Sequence, residues 1–171
     1  MATRRGLVIT DRQVDRSDAL LWELKRLLDC GFLALVTTAG QPITTASDED
    51  HPETLSLASL TASAFAATRQ LAEILNEREF TLLFHEGDSV NLHVAQVTEQ
   101  ILLLITFGRD VPIGKVRLYT QRAIVVLARI LREDDAPDTQ LKVDEFYEAT
   151  ADRRIDELFC DNGPDCLTDP A

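Results

Sequence analysis

"TLLFHEGDSVNLHVAQVTEQILLLITF", residues 81–107, is the stretch that decides the fold. Apolar side chains alternate with other side chains on both sides of Glu86-Gly87-Asp88, which is the pattern of a β-hairpin. We expect Gly87 to supply a positive φ in this turn. Residues 101–107 are apolar on both faces and predict a central strand. Strands joined by such short connections predict an antiparallel sheet.

Two further strands and three helices complete the pattern. The predicted strands are Phe32–Thr38 and Ile43–Ser47, and the second is more polar, as expected nearer a sheet edge. Helical periodicity predicts helices from Ser17, as N-cap, to Gly31, from about Glu53 to Asn76, and from about Ile113 to Arg132. The order helix–strand–strand–helix–strand–strand–strand–helix indicates the α+β class with a five-stranded antiparallel sheet. We expect the first and fifth strands, the most apolar, to be central neighbours.

The second helix has no charged residue between Thr54 and Thr68. One stripe is apolar and contains Leu57, Leu60, Ala64, Ala67, Leu71 and Leu75. A second face is small and weakly polar and contains Ser59, Ala62, Ser63, Ala66 and Gln70. A surface helix normally shows a charged outer face, so we expect this helix to be covered on more than one side, and we predict a homodimer.

Charge and periodicity together divide the chain into three regions. Residues 133–171 hold 13 acidic and 3 basic residues, a net of −10, whereas residues 1–132 hold 16 and 14, a net of −2. Residues 1–15 show no strong periodicity, and helical periodicity begins at Ser17. We therefore predict an N-terminal arm (1–16), a body (17–132) and an acidic C-terminal tail (133–171), whose one amphipathic stretch is either a short helix or part of a disordered tail. An acidic chain repels nucleic acid and anionic membranes, and no apolar run reaches the roughly 18–20 residues of a membrane span. We expect a cytoplasmic protein without membrane insertion.

Two smaller features leave alternatives open. Lys115, Arg122 and Arg129 form a basic stripe on the last helix, which is either a solvated face or a patch for an acidic partner or for the tail. The three cysteines, Cys30, Cys160 and Cys166, form no CxxC pair and indicate a reduced, intracellular protein. Cys160 and Cys166 either remain as idle thiols or pair with each other in a small loop.

His85, Glu86 and His93 are the residues that an enzyme would use. Adjacent side chains on a strand point to opposite faces, so His85 and Glu86 do not converge. The two histidines could meet across the hairpin, but the sequence offers no third metal ligand. The sequence also lacks a GxSxG motif and a phosphate-binding loop. We therefore predict a structural His85 and expect no catalytic residue, metal or cofactor; a metal-dependent or His/Glu-dependent enzyme is the remote alternative.

Four motifs carry a family resemblance: LASLTA (Leu57–Ala62), FHEG (Phe84–Gly87), ILLLITF (Ile101–Phe107) and GKVRL (Gly114–Leu118). In this order and spacing they resemble the roadblock/dynein-light-chain family, and within it the bacterial MglB-like branch. The resemblance covers residues 17–132.

The resemblance implies a homodimer whose two sheets join across a strand edge, with a dimer face on the second helix that receives an MglA-type Ras-like GTPase. It implies a non-enzymatic GTPase-activating protein that positions the GTPase's own residues, so Arg69 is not expected to act as an arginine finger. A scaffold without activating function is the alternative. The expected partner or dimer interface comprises Ser59, Ala62, Ser63, Ala66, Arg69, Gln70 and Glu73.

Overall fold

A computed structural model of the protein describes residues 7–49, 51–77 and 81–132. The predicted acidic tail and its amphipathic stretch (Val143, Tyr147, Ile155, Leu158 and Phe159) lie outside the described residues. The elements follow the predicted order: α1 (Asp11–Leu28), β1 (Phe32–Thr37), β2 (Pro42–Ser47), α2 (Thr54–Ile74), β3 (Leu82–His85), β4 (Val90–Thr98), β5 (Ile101–Gly108) and α3 (Ile113–Ile130).

Helix α1 begins earlier than predicted. Thr10 is its N-cap, and a capping box joins it to Gln13: the Gln13 backbone N–H donates to Thr10 Oγ1 at 3.3 Å, and the Thr10 N–H donates to Gln13 Oε1 at 2.9 Å. Ser17, the predicted N-cap, is instead fully buried within the helix. The prediction of Ser17 was wrong because a stronger capping signal lies about two helical turns upstream.

The sheet has the strand order β2-β1-β5-β4-β3, and all its neighbours are antiparallel. β1 and β5 therefore pair in the middle, as predicted from their apolar composition. Leu33 pairs with Ile105 and Leu35 with Leu103, and all four side chains are fully buried. The more polar β2 forms one edge, as expected, and β3 forms the other.

The sheet separates two hydrophobic clusters, because side chains alternate between faces along each strand. Leu33, Leu35, Leu103 and Ile105 belong to the larger cluster, which includes buried residues of α1 and α3. Phe32, Ala34, Leu102 and Leu104 belong to the second cluster, which includes Ala58 and Phe65 of α2. Helices α1 and α3 thus cover one face and α2 covers the other.

Helix α3 lies along β4 and beside α1. Its inner side is formed by Val116, Thr120, Ala123, Leu127 and Ile130, all of which are buried. Gln13 Nε2 of α1 donates to the Ile130 carbonyl oxygen at 3.2 Å and so joins the start of α1 to the end of α3. Within the described ranges, none of the helices combines the length and apolar character needed to cross a membrane.

Candidate partner-binding surface

Helix α2 packs on the sheet through small residues and one aromatic ring. Its buried residues are Ala58, Thr61, Ala62, Phe65 and Ala72. Phe65 is the large side chain that fills the space above β1 and β5. The side of α2 that packs inward is therefore different from the leucine stripe of the sequence pattern.

The leucine stripe lies largely on the outside. In this stripe Leu60 is 70% exposed, Leu71 is 54% exposed and Ala67 is also exposed. Ile74, which lies next to the stripe, is 81% exposed. We call these four residues the apolar edge of α2. Exposed apolar residues that recur along one side of a helix are typical of a protein–protein contact.

The small-residue face lies beside the apolar edge. Ser59, Ser63, Ala66 and Gln70 are exposed and form what we call the small-residue edge. Arg69 and Glu73 are also exposed and flank it. Ala62 differs from the other predicted interface residues because it is buried within the protomer.

The serine hydroxyls of this edge already have acceptors within the protomer. Ser63 Oγ donates to the Ser59 carbonyl oxygen at 2.9 Å. Ser59 Oγ lies 2.9 Å from the Leu55 carbonyl oxygen and 3.3 Å from that of Gly40, in the turn between β1 and β2. A partner that covers these serines therefore leaves no hydroxyl donor unsatisfied, which lowers the cost of burying them.

The two hairpin histidines lie on opposite faces of the sheet. His85 pairs with Leu92 and is exposed, whereas His93 pairs with Phe84 and is fully buried on the α3 face. They therefore cannot bind one ligand together. Within residues 7–49, 51–77 and 81–132, no three His, Cys, Asp or Glu side chains come together in a metal-binding group.

His93 is a neutral core residue. Burial lowers its pKa from 6.5 to about 4, and the nearby Arg117 guanidinium acts in the same direction. Neither ring nitrogen of His93 has a hydrogen-bond partner among the described residues, and the same is true of the buried Thr120 hydroxyl on α3. This environment favours packing over proton transfer at neutral pH.

Gly87 is required for a reason other than the one predicted. Its φ is not positive, so the expectation of a left-handed turn residue was wrong. A Cβ at this position would instead collide with the Val90 carbonyl oxygen. The chain between β3 and β4 folds back so closely that only glycine fits.

Comparison with known proteins connects this architecture to a family. The sequence model of the Roadblock/LC7 domain family matches residues 16–107. A comparison with curated protein sequences gives no significant match.

Solved structures of MglB proteins are similar over most of the chain. Myxococcus xanthus MglB is 31% identical with a TM-score of 0.69, and the match covers 76% of this chain and 100% of that one. The gliding protein MglB from Thermus thermophilus is 30% identical with a TM-score of 0.70 and coverages of 77% and 100%. A Roadblock/LC7 domain from Streptomyces avermitilis shares the fold at 15% identity, with a TM-score of 0.64 over 68% of this chain and 98% of that one. By its family match and by these similarities, the chain belongs to the Roadblock/LC7 domain family.

Proposed function

We propose that this protein is a cytoplasmic, homodimeric regulator that binds an MglA-type Ras-like GTPase and stimulates its hydrolysis of GTP. The observation that carries the proposal is the outer side of α2, where the apolar edge and the small-residue edge lie side by side without a charge between Thr54 and Thr68. Similarity to MglB proteins over three quarters of the chain supports it.

The two edges of α2 suit two different contacts. The apolar edge, with Leu60, Leu71 and Ile74 largely exposed, suits a permanent contact with the second copy because obligate interfaces are the more apolar class. The small-residue edge suits a reversible contact with the GTPase. Alanine and serine lose little side-chain entropy when they are covered, so a flat surface of this kind binds without a large ordering cost.

The regulator acts by positioning the residues of the GTPase and supplies no catalytic group. Arg69 is the arginine of α2, and it lies at the flank of the small-residue edge. Its replacement by alanine should therefore weaken binding at most modestly and leave stimulation at saturating concentration intact.

The test is an Ala66→Arg variant, which puts a bulky charge in the middle of the small-residue edge. Ala66 is exposed in the protomer, so the variant should fold. The charge would have to be desolvated in a complex, which costs several kcal/mol. Ala19→Arg is the matched control, because Ala19 is exposed on α1, on the other face of the sheet.

Binding is measured by pull-down of an MglA-type GTPase loaded with GDP or with a non-hydrolysable GTP analogue, and hydrolysis is measured alongside. We expect wild type and Ala19→Arg to bind the GTP form and accelerate hydrolysis, and Ala66→Arg to do neither while remaining a dimer. Equal binding by Ala66→Arg would remove this edge from the site. Binding without acceleration by the wild type would identify a scaffold.

A further inference from the structure

Helix α3 is a cationic region on an acidic protein. Residues 111–132 contain five basic residues, Lys115, Arg117, Arg122, Arg129 and Arg132, and no acidic residue. The described residues before them (7–49, 51–77 and 81–110) contain 14 acidic and 6 basic residues, a net of −8. The basic residues of α3 are therefore unbalanced by acidic residues of the same segment, whereas the described residues before it are acidic on balance.

Three of these cations lie on one outward side of α3, and a fourth, Arg132, follows two residues after the helix ends. What we call the outer stripe of α3 faces away from the buried residues of the helix and continues to Arg132, just past its end. Its members are separated by three, four, three, four and three residues: Lys115, Leu118, Arg122, Val125, Arg129 and Arg132. Val125, near the middle, is 60% exposed. Residues at this alternating spacing lie in a line along one side of a helix, where a second helix can lie against them.

The cations of the stripe are not neutralised within the described part of the chain, where none of them forms an ion pair with a carboxylate. Arg122 instead lies over the Tyr119 ring, 5.9 Å from its centroid.

The cations of the stripe stabilise α3 at its carboxyl end but not at its amino end. Arg129 and Arg132 favour the carboxyl end, where the helix dipole attracts cations. Lys115, however, stands in the first turn, where cations are unfavourable, and that turn has neither an acidic residue nor a side-chain cap. A function for the stripe accounts for this better than the stability of α3 does.

We propose that the outer stripe of α3 docks an acidic amphipathic helix of a partner protein. The partner would place apolar side chains between Leu118 and Val125 and carboxylates opposite the four cations of the stripe. At about 1.5 Å per residue the helical part of the stripe, from Lys115 to Arg129, is roughly 21 Å long, which matches one short helix. An extended polyanion such as a membrane or a nucleic acid would also face the acidic remainder of the protein, which repels it.

This inference is independent of the proposed GTPase contact. α3 and α2 lie on opposite faces of the sheet, so a helix on the outer stripe leaves the α2 surface uncovered. The Ala66→Arg variant should therefore bind the acidic helix as the wild type does, even when it no longer binds a GTPase.

The test measures binding of a fluorescent synthetic helix, with leucines at three-four spacing flanked by glutamates, to the full-length chain by anisotropy. The stripe variant is Arg122→Glu with Arg129→Glu. The matched control is Arg26→Glu with Arg109→Glu, which changes the net charge equally at exposed positions outside the stripe. Thermal unfolding verifies that both variants fold.

We expect the stripe variant to lose at least about tenfold in affinity, equivalent to about 1.4 kcal/mol, and the control to lose less than about twofold. Val125→Asp should also weaken binding, and added salt should weaken the wild type. Absence of binding by the wild type, or equal losses in the stripe variant and the control, would refute the docking site. Stronger stripe-dependent binding to phosphatidylserine vesicles than to the peptide would overturn it in favour of a lipid surface.

Discussion

Gly40 and Ser59 hold the β1–β2 turn against α2 at a distance that admits no side chain. A Cβ on Gly40 would stand 2.8 Å from the Ser59 Cα, and Gly40 also has a positive φ of 84°. Two independent constraints therefore require glycine at this position: the left-handed backbone and the approach of the helix.

Replacement of Gly40 by alanine should destabilise the protein by more than about 1 kcal/mol, because the native conformation is incompatible with a Cβ. Gly114→Ala is the control, since Gly114 lies in α3 and a methyl group added there would meet nothing within 4 Å. That variant should be neutral or more stable by up to about 1 kcal/mol. Urea unfolding measures both, and a Gly40→Ala midpoint equal to that of the wild type would contradict the contact.

The apolar edge of α2 predicts the oligomeric state. Light scattering at micromolar concentration should give about twice the chain mass of 19.1 kDa. Leu71→Asp should give a folded monomer, because Leu71 is exposed in the protomer and its charge would be buried only in the dimer. Leu27→Asp is the control, at a partly exposed leucine of α1. A monomeric wild type, or a dimeric Leu71→Asp, would disprove this assignment of the edge.

The buried His93 predicts a loss of stability in acid. In the unfolded chain its pKa is that of a free imidazole, about 6.5, and in the folded protein burial lowers the pKa to about 4. Between these values the unfolded state binds more protons, so stability falls as the pH is lowered from 6.5 towards 4, by up to about 3 kcal/mol.

The measurement is urea unfolding at intervals from pH 7.5 to pH 4. His93→Leu should flatten the dependence of stability on pH across this window, because leucine has no proton to bind. His85→Asn should leave it as in the wild type, since His85 is exposed. An unchanged slope in His93→Leu would show that other groups cause the acid sensitivity.

Cys30 should be inert to thiol reagents in the folded protein. Burial raises the pKa of its thiol from 9.0 to about 11, although the nearby Lys25 opposes this shift. At pH 8 only about one thiol in a thousand would then be a thiolate, the reactive form. Labelling is followed in a Cys160→Ser, Cys166→Ser variant, where it should be slow until denaturant is added; rapid labelling of the native protein would place Cys30 at the surface.

The strands could be predicted from the sequence because their signals are local. A strand with one face in solvent alternates apolar and polar residues, whereas β1 and β5 are apolar at nearly every position. Their central place in the sheet could therefore be predicted from composition. β2 is short and polar and begins at Pro42, all of which favour an edge. The antiparallel pairing of the strands could be predicted because consecutive strands are joined by short connections.

The orientation of α2 could not be predicted in the same way. Both its leucine stripe and its alanine-rich side have helical periodicity, and periodicity does not tell which side meets the sheet. On the sheet face beneath α2, Ala58 and Phe65 pack in one cluster with Phe32, so the side of α2 that carries them faces the sheet. The leucines are left outside for that reason. The identity of the partner-facing residues depends on this rotation, so the helix was predicted correctly while one predicted interface residue, Ala62, is buried.

The hydrogen bond from Gln13 to the Ile130 carbonyl brings the first turn of α1 and the last turn of α3 side by side. The described body could therefore form the same three-dimensional arrangement with its segments joined in a different order along the chain. A short glycine-rich linker could join residue 132 to residue 7, and the chain could be reopened at Asp88-Ser89, between β3 and β4. Such a circular permutant would keep the same contacts while moving both chain ends away from the α1–α3 corner.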